Sequence, residues 1–141
     1  MQTFLPYADF VLSAKVLDYR RLGKQRVEAR QILNTLEGKS SGWSTHPAVL
    51  MWQGFAPALG AYMDAMIFEW VARGYQNTMA SYWTNGTPSL SELQLPPWFG
   101  DPALHASHRS NLLRKDATFY GRYGWTEPSD LPYVWPVRRS P

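Results

Sequence analysis

The stretch that most constrains this chain is residues 18–36, DYRRLGKQRVEARQILNTL. Wound as a helix at ~100° per residue, it sorts its side chains into two stripes. Leu22, Ala29, Leu33 and Leu36 form a narrow apolar one. Arg20, Lys24, Glu28 and Gln31 form a polar one, with Arg21 and Gln25 at its edge. Five of the chain's 14 Lys and Arg residues fall here: Arg20, Arg21, Lys24, Arg26 and Arg30. A single carboxylate, Glu28, stands inside this cationic field, with Asp18 and Glu37 at the ends. The stretch can be a solvated face with an i,i+4 Lys24–Glu28 pair. It can equally be a helix that grips phosphates and offers one carboxylate for chemistry.

A chain of 141 residues that is 45% hydrophobic can bury a real core, which predicts one domain over residues 1–141. The net charge of +3 is modest, but half the basic residues lie between Lys15 and Lys39. Local potential is what attracts a polyanion. Seven Trp could stack on bases, although a small domain needs most of its aromatics inside. The absence of cysteine excludes disulfides and thiol-ligated metals, and a reducing cytoplasm is the expected location. Residues 1–10, MQTFLPYADF, have no basic flank and no long apolar run, so no secretory signal is expected. No apolar run is long enough to span a membrane.

Further elements are legible from caps and breakers. Asp9 is an N-cap for a helix through Leu17, which either bends or runs on into the 18–37 helix that Gly38 ends. Pro47 opens a short turn, and Pro57 sits in the first turn of a helix to Arg73, stopped by Gly74. On it Leu59, Met63, Met66 and Trp70 share a face. Residues 75–97 are turn-rich, with a capping box at Ser89 and Glu92. Asp101 and Pro102 start a helix to about Lys115, and the aromatic, proline-rich remainder forms an extended strap over the helices. Strand signals are weak throughout. The expectation is an all-α, single compact helical domain whose core includes Leu22, Leu33, Leu36, Leu59, Met66 and Trp70.

Three groups could carry chemistry: Glu28 on the cationic helix, the histidines and the terminal amine. His105 and His108 lie i,i+3 on one helix with Arg109 on the same side, and His46 is the third histidine. They suit a phosphate grip or a catalytic imidazole more readily than a three-histidine metal site, while ordinary capping and packing is the commonest role for such residues. No nucleophile elbow and no phosphate-cradling glycine loop occurs. The third group is the terminal amine. An α-amine ordinarily titrates near ~8, so a useful fraction is neutral near pH 7 and can attack a sugar C1′. Bulky Gln2 predicts that Met1 is retained, and apolar Phe4 and Leu5 predict a terminus tucked against the protein.

The segments LDYRRLGKQ (residues 17–25), HPAVLMW with ALGAYMDAMIFEWVARGYQNT (46–78) and HASHRSNLLRKDATFYGRYG (105–124) together resemble the pyrimidine-dimer DNA glycosylase family, typified by the phage endonuclease V. The likeness is stronger to bacterial relatives that begin MQTFLP and carry RLGKQR, HPA, SH and KD signatures. The resemblance implies an all-α domain that binds double-stranded DNA and flips a nucleotide from the stack. It implies a terminal α-amine as nucleophile at C1′, a glutamate on the first long helix that stabilises the sugar cation, and arginines there that hold phosphates. Tyr19, Arg20, Leu22 and Lys24 match the family's Tyr-Arg-Glu-Leu-x-Arg segment, and Lys115 matches a basic residue of the last helix. Two departures stand out. The family's catalytic glutamate falls on Arg21, and Met1-Gln2 stands where the family has a small residue after a removed Met. Glu28, seven residues after Arg21, returns to nearly the same helix face ~10 Å further along the axis.

The functional expectation is therefore a DNA glycosylase, with AP-lyase action in prospect, that uses Met1 and Glu28 as catalytic residues. Its expected DNA contacts are Arg20, Arg21, Lys24, Gln25, His46, His105, His108, Arg109 and Lys115. It is expected to need no metal, no cofactor and no obligate protein partner. The alternatives are a non-catalytic DNA-binding or protein-interaction domain, the latter using Trp83 and Trp98, and the three-histidine hydrolase.

Overall fold

The computed structural model describes residues 1–137. The architecture is all-α: among the described residues there are helices and no strand. Helix α1 (Phe10–Val16) starts at Asp9, whose carboxylate accepts from the Leu12 amide at 2.8 Å. Leu17 and Asp18 are extended, so α2 (Tyr19–Leu36) begins afresh and neither bends out of α1 nor continues it. It ends at Gly38, whose φ of 79° suits a residue without a Cβ. The single turn α3 (Pro47–Leu50) is capped by the His46 side chain. Next come α4 (Ala56–Ala72) and, after a one-turn 3-10 segment at Leu90–Glu92, α5 (Pro102–Lys115), capped by Asp101 as expected.

Beyond α5 the strap departs from expectation. Asp116 accepts from the Phe119 amide at 3.0 Å and starts a further turn, α6 (Ala117–Tyr120), which continues as a 3-10 turn over Gly121–Tyr123. Residues 124–137 then run without helix or strand. The end of the expected strap and domain, residues 138–141, lies outside the described residues. Among the described residues no helix is long and apolar enough to cross a membrane.

The core forms where α2 packs on α4, with α1 alongside. Leu22, Leu33, Leu59 and Met66 are fully buried, and so are Ile32, Trp52 and Tyr62. Two expected core residues are only partly buried. Leu36 lies in the last turn of α2, and Trp70 stands at an edge, stacked on exposed Tyr75 at 4.3 Å with its indole N–H bonded to the Gln76 carbonyl. Trp70 also accounts for the glycine inside α2: a Cβ on Gly23 would lie 2.8 Å from the indole ring.

The most unusual element has no regular structure. Residues 2–6 are all buried, and a buried backbone needs partners. Here they are side chains. Gln25 accepts from the Phe4 amide at 2.8 Å, His108 Nδ1 accepts from the Leu5 amide at 2.8 Å, and Glu28 accepts from the Gln2 amide at 3.1 Å. The Phe4 carbonyl accepts from the Tyr62 hydroxyl, the Leu5 carbonyl from His105 Nδ1, and the Pro6 carbonyl from Arg109. Residues of α2, α4 and α5 thus stand in for neighbouring strands. The strap is held in the same manner. On α5, Ser110 and Asn111 bond the Pro128 and Leu131 backbone, and Ser107 accepts from the Val134 amide.

Candidate functional site

The buried N-terminal segment delivers Met1 and Gln2 to the wall of a cavity of about 770 Å³. The first half of α2 supplies one wall, with Tyr19, Arg20, Arg21, Lys24, Gln25 and Glu28. Lys115 and Asp116 at the end of α5, Phe119 of α6 and Tyr133 of the strap complete it.

Glu28 is held in place at the wall of this cavity. Its Oε2 accepts from the Gln2 amide at 3.1 Å and from Gln25 Nε2 at 3.3 Å, and its Oε1 lies 3.8 Å from Lys24 Nζ. The Glu28 side chain is 13% exposed and that of Lys24 is 73% exposed. The carboxylate is therefore fixed at the wall while the ammonium remains in solvent. A second acid, Asp18, is buried and committed. Burial raises its pKa, but hydrogen bonds from Tyr120 and Arg21, with the Arg21 charge, outweigh that and leave it below the usual carboxylate value. Its Oδ1 lies 3.1 Å from Arg21. Asp116 is engaged as the cap of α6.

The cations of α2 divide. Arg20, Lys24 and Lys115 are exposed on the cavity's lining, and Arg21 is half-buried against Asp18. Arg26 and Arg30 turn away: Arg26 bonds Asn77 at 2.6 Å and lies 4.3 Å from the Trp70 ring, and Arg30 reaches the Ala80 carbonyl. The sequence stripe alone could not separate these sets, because the loop that claims Arg26 and Arg30 comes 50 residues later.

Several expected DNA contacts need correction. Gln25 is buried, its Oε1 shared between the Phe4 amide and the Tyr62 hydroxyl. His105 and His108 are buried supports of the N-terminal segment, so neither can reach a phosphate. Burial lowers the His105 pKa and pushes His108 down to about 3, which keeps His108 neutral. Arg109 is clamped between Glu127 at 2.8 Å and the Pro6 carbonyl at 2.6 Å. His46 caps α3 and meets Trp43 and Trp135 edge-on, away from the cavity wall. The three-histidine hydrolase loses its site: among the described residues no three His, Asp or Glu side chains are grouped to hold a metal ion. Trp98, proposed for protein recognition, is a core residue bonded to the Met51 carbonyl.

A profile of pyrimidine dimer DNA glycosylases matches residues 1–82, more than half of the chain. The chain belongs to the pyrimidine dimer DNA glycosylase family. No curated protein and no solved structure matches it. Membership makes DNA the macromolecular partner and glycosylase chemistry the activity class. The matched part of the chain holds the N-terminal segment, all of α2 with Glu28, and α4. Lys115, Phe119 and Tyr133 lie beyond the match. Reading the sequence missed Gln2, Phe4, Phe119 and Tyr133 as cavity residues. Only Phe4 left a signal, as an apolar residue where a free terminus needs none.

Proposed function

We propose that this protein excises a damaged or modified base from duplex DNA, with the α-amine of Met1 as nucleophile and Glu28 as the carboxylate that stabilises the sugar. One observation carries the reading: the Gln2 amide is bonded to Glu28 Oε2 at 3.1 Å, and Met1 and Glu28 line one cavity with a cationic rim. The neutral amine's lone pair forms a bond to C1′. The C1′–N bond breaks, and the base leaves with that electron pair and takes up a proton. The amine nitrogen sheds a proton, and opening of the sugar at C1′–O4′ gives an imine. Positive charge that develops on the sugar is stabilised by a fixed carboxylate in a site partly shielded from water. The same imine is the starting point for strand cleavage by β-elimination.

Arg20, Lys24 and Lys115 are the proposed phosphate contacts, being exposed around the opening. Borohydride should trap a protein–DNA adduct, with the modified peptide mapping to residue 1, and an N-terminal extension should abolish it. Glu28→Gln, which can still accept from the Gln2 amide, should keep DNA affinity and lose turnover by at least ~10²-fold. Full activity in Glu28→Gln, or base release with a blocked amine, would overturn the assignment.

A further inference from the structure

The cavity is graded from rim to floor. Its cations, Arg20, Lys24 and Lys115, are exposed, whereas Gln2 is 5% and Phe4 6% exposed. Phosphates therefore find their partners at the rim, and whatever enters deeper meets Gln2, Phe4 and Tyr133. Two hydrogen-bonding groups on that inner wall are uncommitted. The Gln2 carboxamide accepts from the Thr3 amide at 2.9 Å through Oε1, which fixes its orientation. Its Nε2 is buried and has no partner among the described residues. A buried N–H without an acceptor forfeits its hydration with no return, so a ligand acceptor there recovers a standing loss.

Tyr133 is the second group. Its ring is wedged between Phe4 and His108, at 6.3 and 5.8 Å between centroids, and the backbone of its neighbour Val134 is tied to Ser107. Among the described residues its hydroxyl has no hydrogen-bond partner. Burial raises its pKa, and the charges of Arg114, Arg21 and Glu28 act on it, so this phenol faces the cavity's charged wall as a neutral donor.

Resting on the glycosylase reading, we infer that Gln2 and Tyr133 are specificity-determining residues. The Gln2 Nε2–H and the Tyr133 O–H donate to carbonyl oxygens of the target pyrimidine, which lies against Phe4 while its phosphates stay at the rim. The strap, beyond the part of the chain that matches the family, thus supplies the base-reading side of the site.

The test compares two duplexes of one sequence, one carrying a cyclobutane thymine dimer and the other a natural abasic site at the same position. Tyr133→Phe keeps the ring and removes only the donor, and Gln2→Glu keeps length, the backbone amide and the acceptor for the Thr3 amide while removing the Nε2–H donor. Each variant should cleave a glycosidic bond of the dimer at least ~10-fold more slowly in single turnover, the loss of about one hydrogen bond. Borohydride crosslinking to the abasic duplex should stay within about twofold of wild type, because that substrate has no base to read. Thermal melting of both variants checks the fold. Equal losses on both duplexes would mean that these residues position the amine or the backbone, and no loss on either would mean that they touch nothing. Either result overturns the inference alone. A wild-type chain that neither cleaves a glycosidic bond of the dimer nor crosslinks to the abasic duplex would instead overturn the glycosylase reading, and this inference with it.

Discussion

At the scale of single residues, the histidines carry the clearest consequence. His108 sits at 0% exposure with Nδ1 accepting from the Leu5 amide, and its folded pKa of about 3 lies well below the ordinary 6.5. Between those values the unfolded chain binds a proton that the folded chain refuses. Stability is therefore full above pH ~6.5 and is lost as pH falls toward ~3, by on the order of a few kcal/mol. His105 and, at lower pH, Asp18 contribute with the same sign, since both are shifted down. A plot of Tm against pH should fall through this window, and His108→Gln should flatten it; an unchanged slope would show that another group is responsible. The sequence marked these histidines correctly as a pair on one helix, yet it assigned them to DNA. Nothing in an i,i+3 spacing says whether an imidazole faces solvent or a buried amide 103 residues away. Glu28 was legible because its neighbours on α2 define its face. Gln2 and Tyr133 were not, because only the folded chain brings them to that face.

At the scale of elements, caps and breakers made the helices readable: Asp9, Pro47, Pro57, Asp101 and the glycines at 38, 54 and 74 act within a few residues of themselves. Long-range constraints on a helix were invisible. Asp64, on α4, is fully buried, and its carboxylate accepts from the Tyr82 and Trp83 amides at 2.7 and 3.0 Å and from the Thr87 hydroxyl. That pins Tyr82 over Gly60, where a Cβ would lie 2.2 Å from the ring. Gly60→Ala would gain ~1 kcal/mol of helix propensity, but the pinned ring cannot withdraw, and overpacking costs about 1–3 kcal/mol. The expected outcome is a Tm lowered by several degrees, read by calorimetry. A raised Tm would mean that the 81–87 loop yields more easily than its hydrogen bonds suggest.

At the scale of the whole molecule, charge is distributed by function. Arg20, Lys24 and Lys115 ring the cavity, while Arg26, Arg30 and Arg109 are spent on internal contacts. Affinity for duplex DNA should fall steeply with salt. Arg20→Ala, Lys24→Ala and Lys115→Ala should each reduce the log–log slope by about 0.9. Arg109→Ala should leave the slope alone and lower thermal stability, since it frees the Pro6 carbonyl and Glu127; a change in slope would return Arg109 to the DNA-facing set. The side-chain cradle around residues 2–6 also sets an order of events during synthesis. Leu5 leaves the ribosome 103 residues ahead of His108, and its carbonyl waits 100 residues for His105. Until α5 has emerged, Gln25, Glu28 and Tyr62 can hold residues 2–4, but the Leu5 and Pro6 backbone groups lack His108, His105 and Arg109. The cradle that fixes the N-terminal segment is therefore complete only once nearly the whole polypeptide exists.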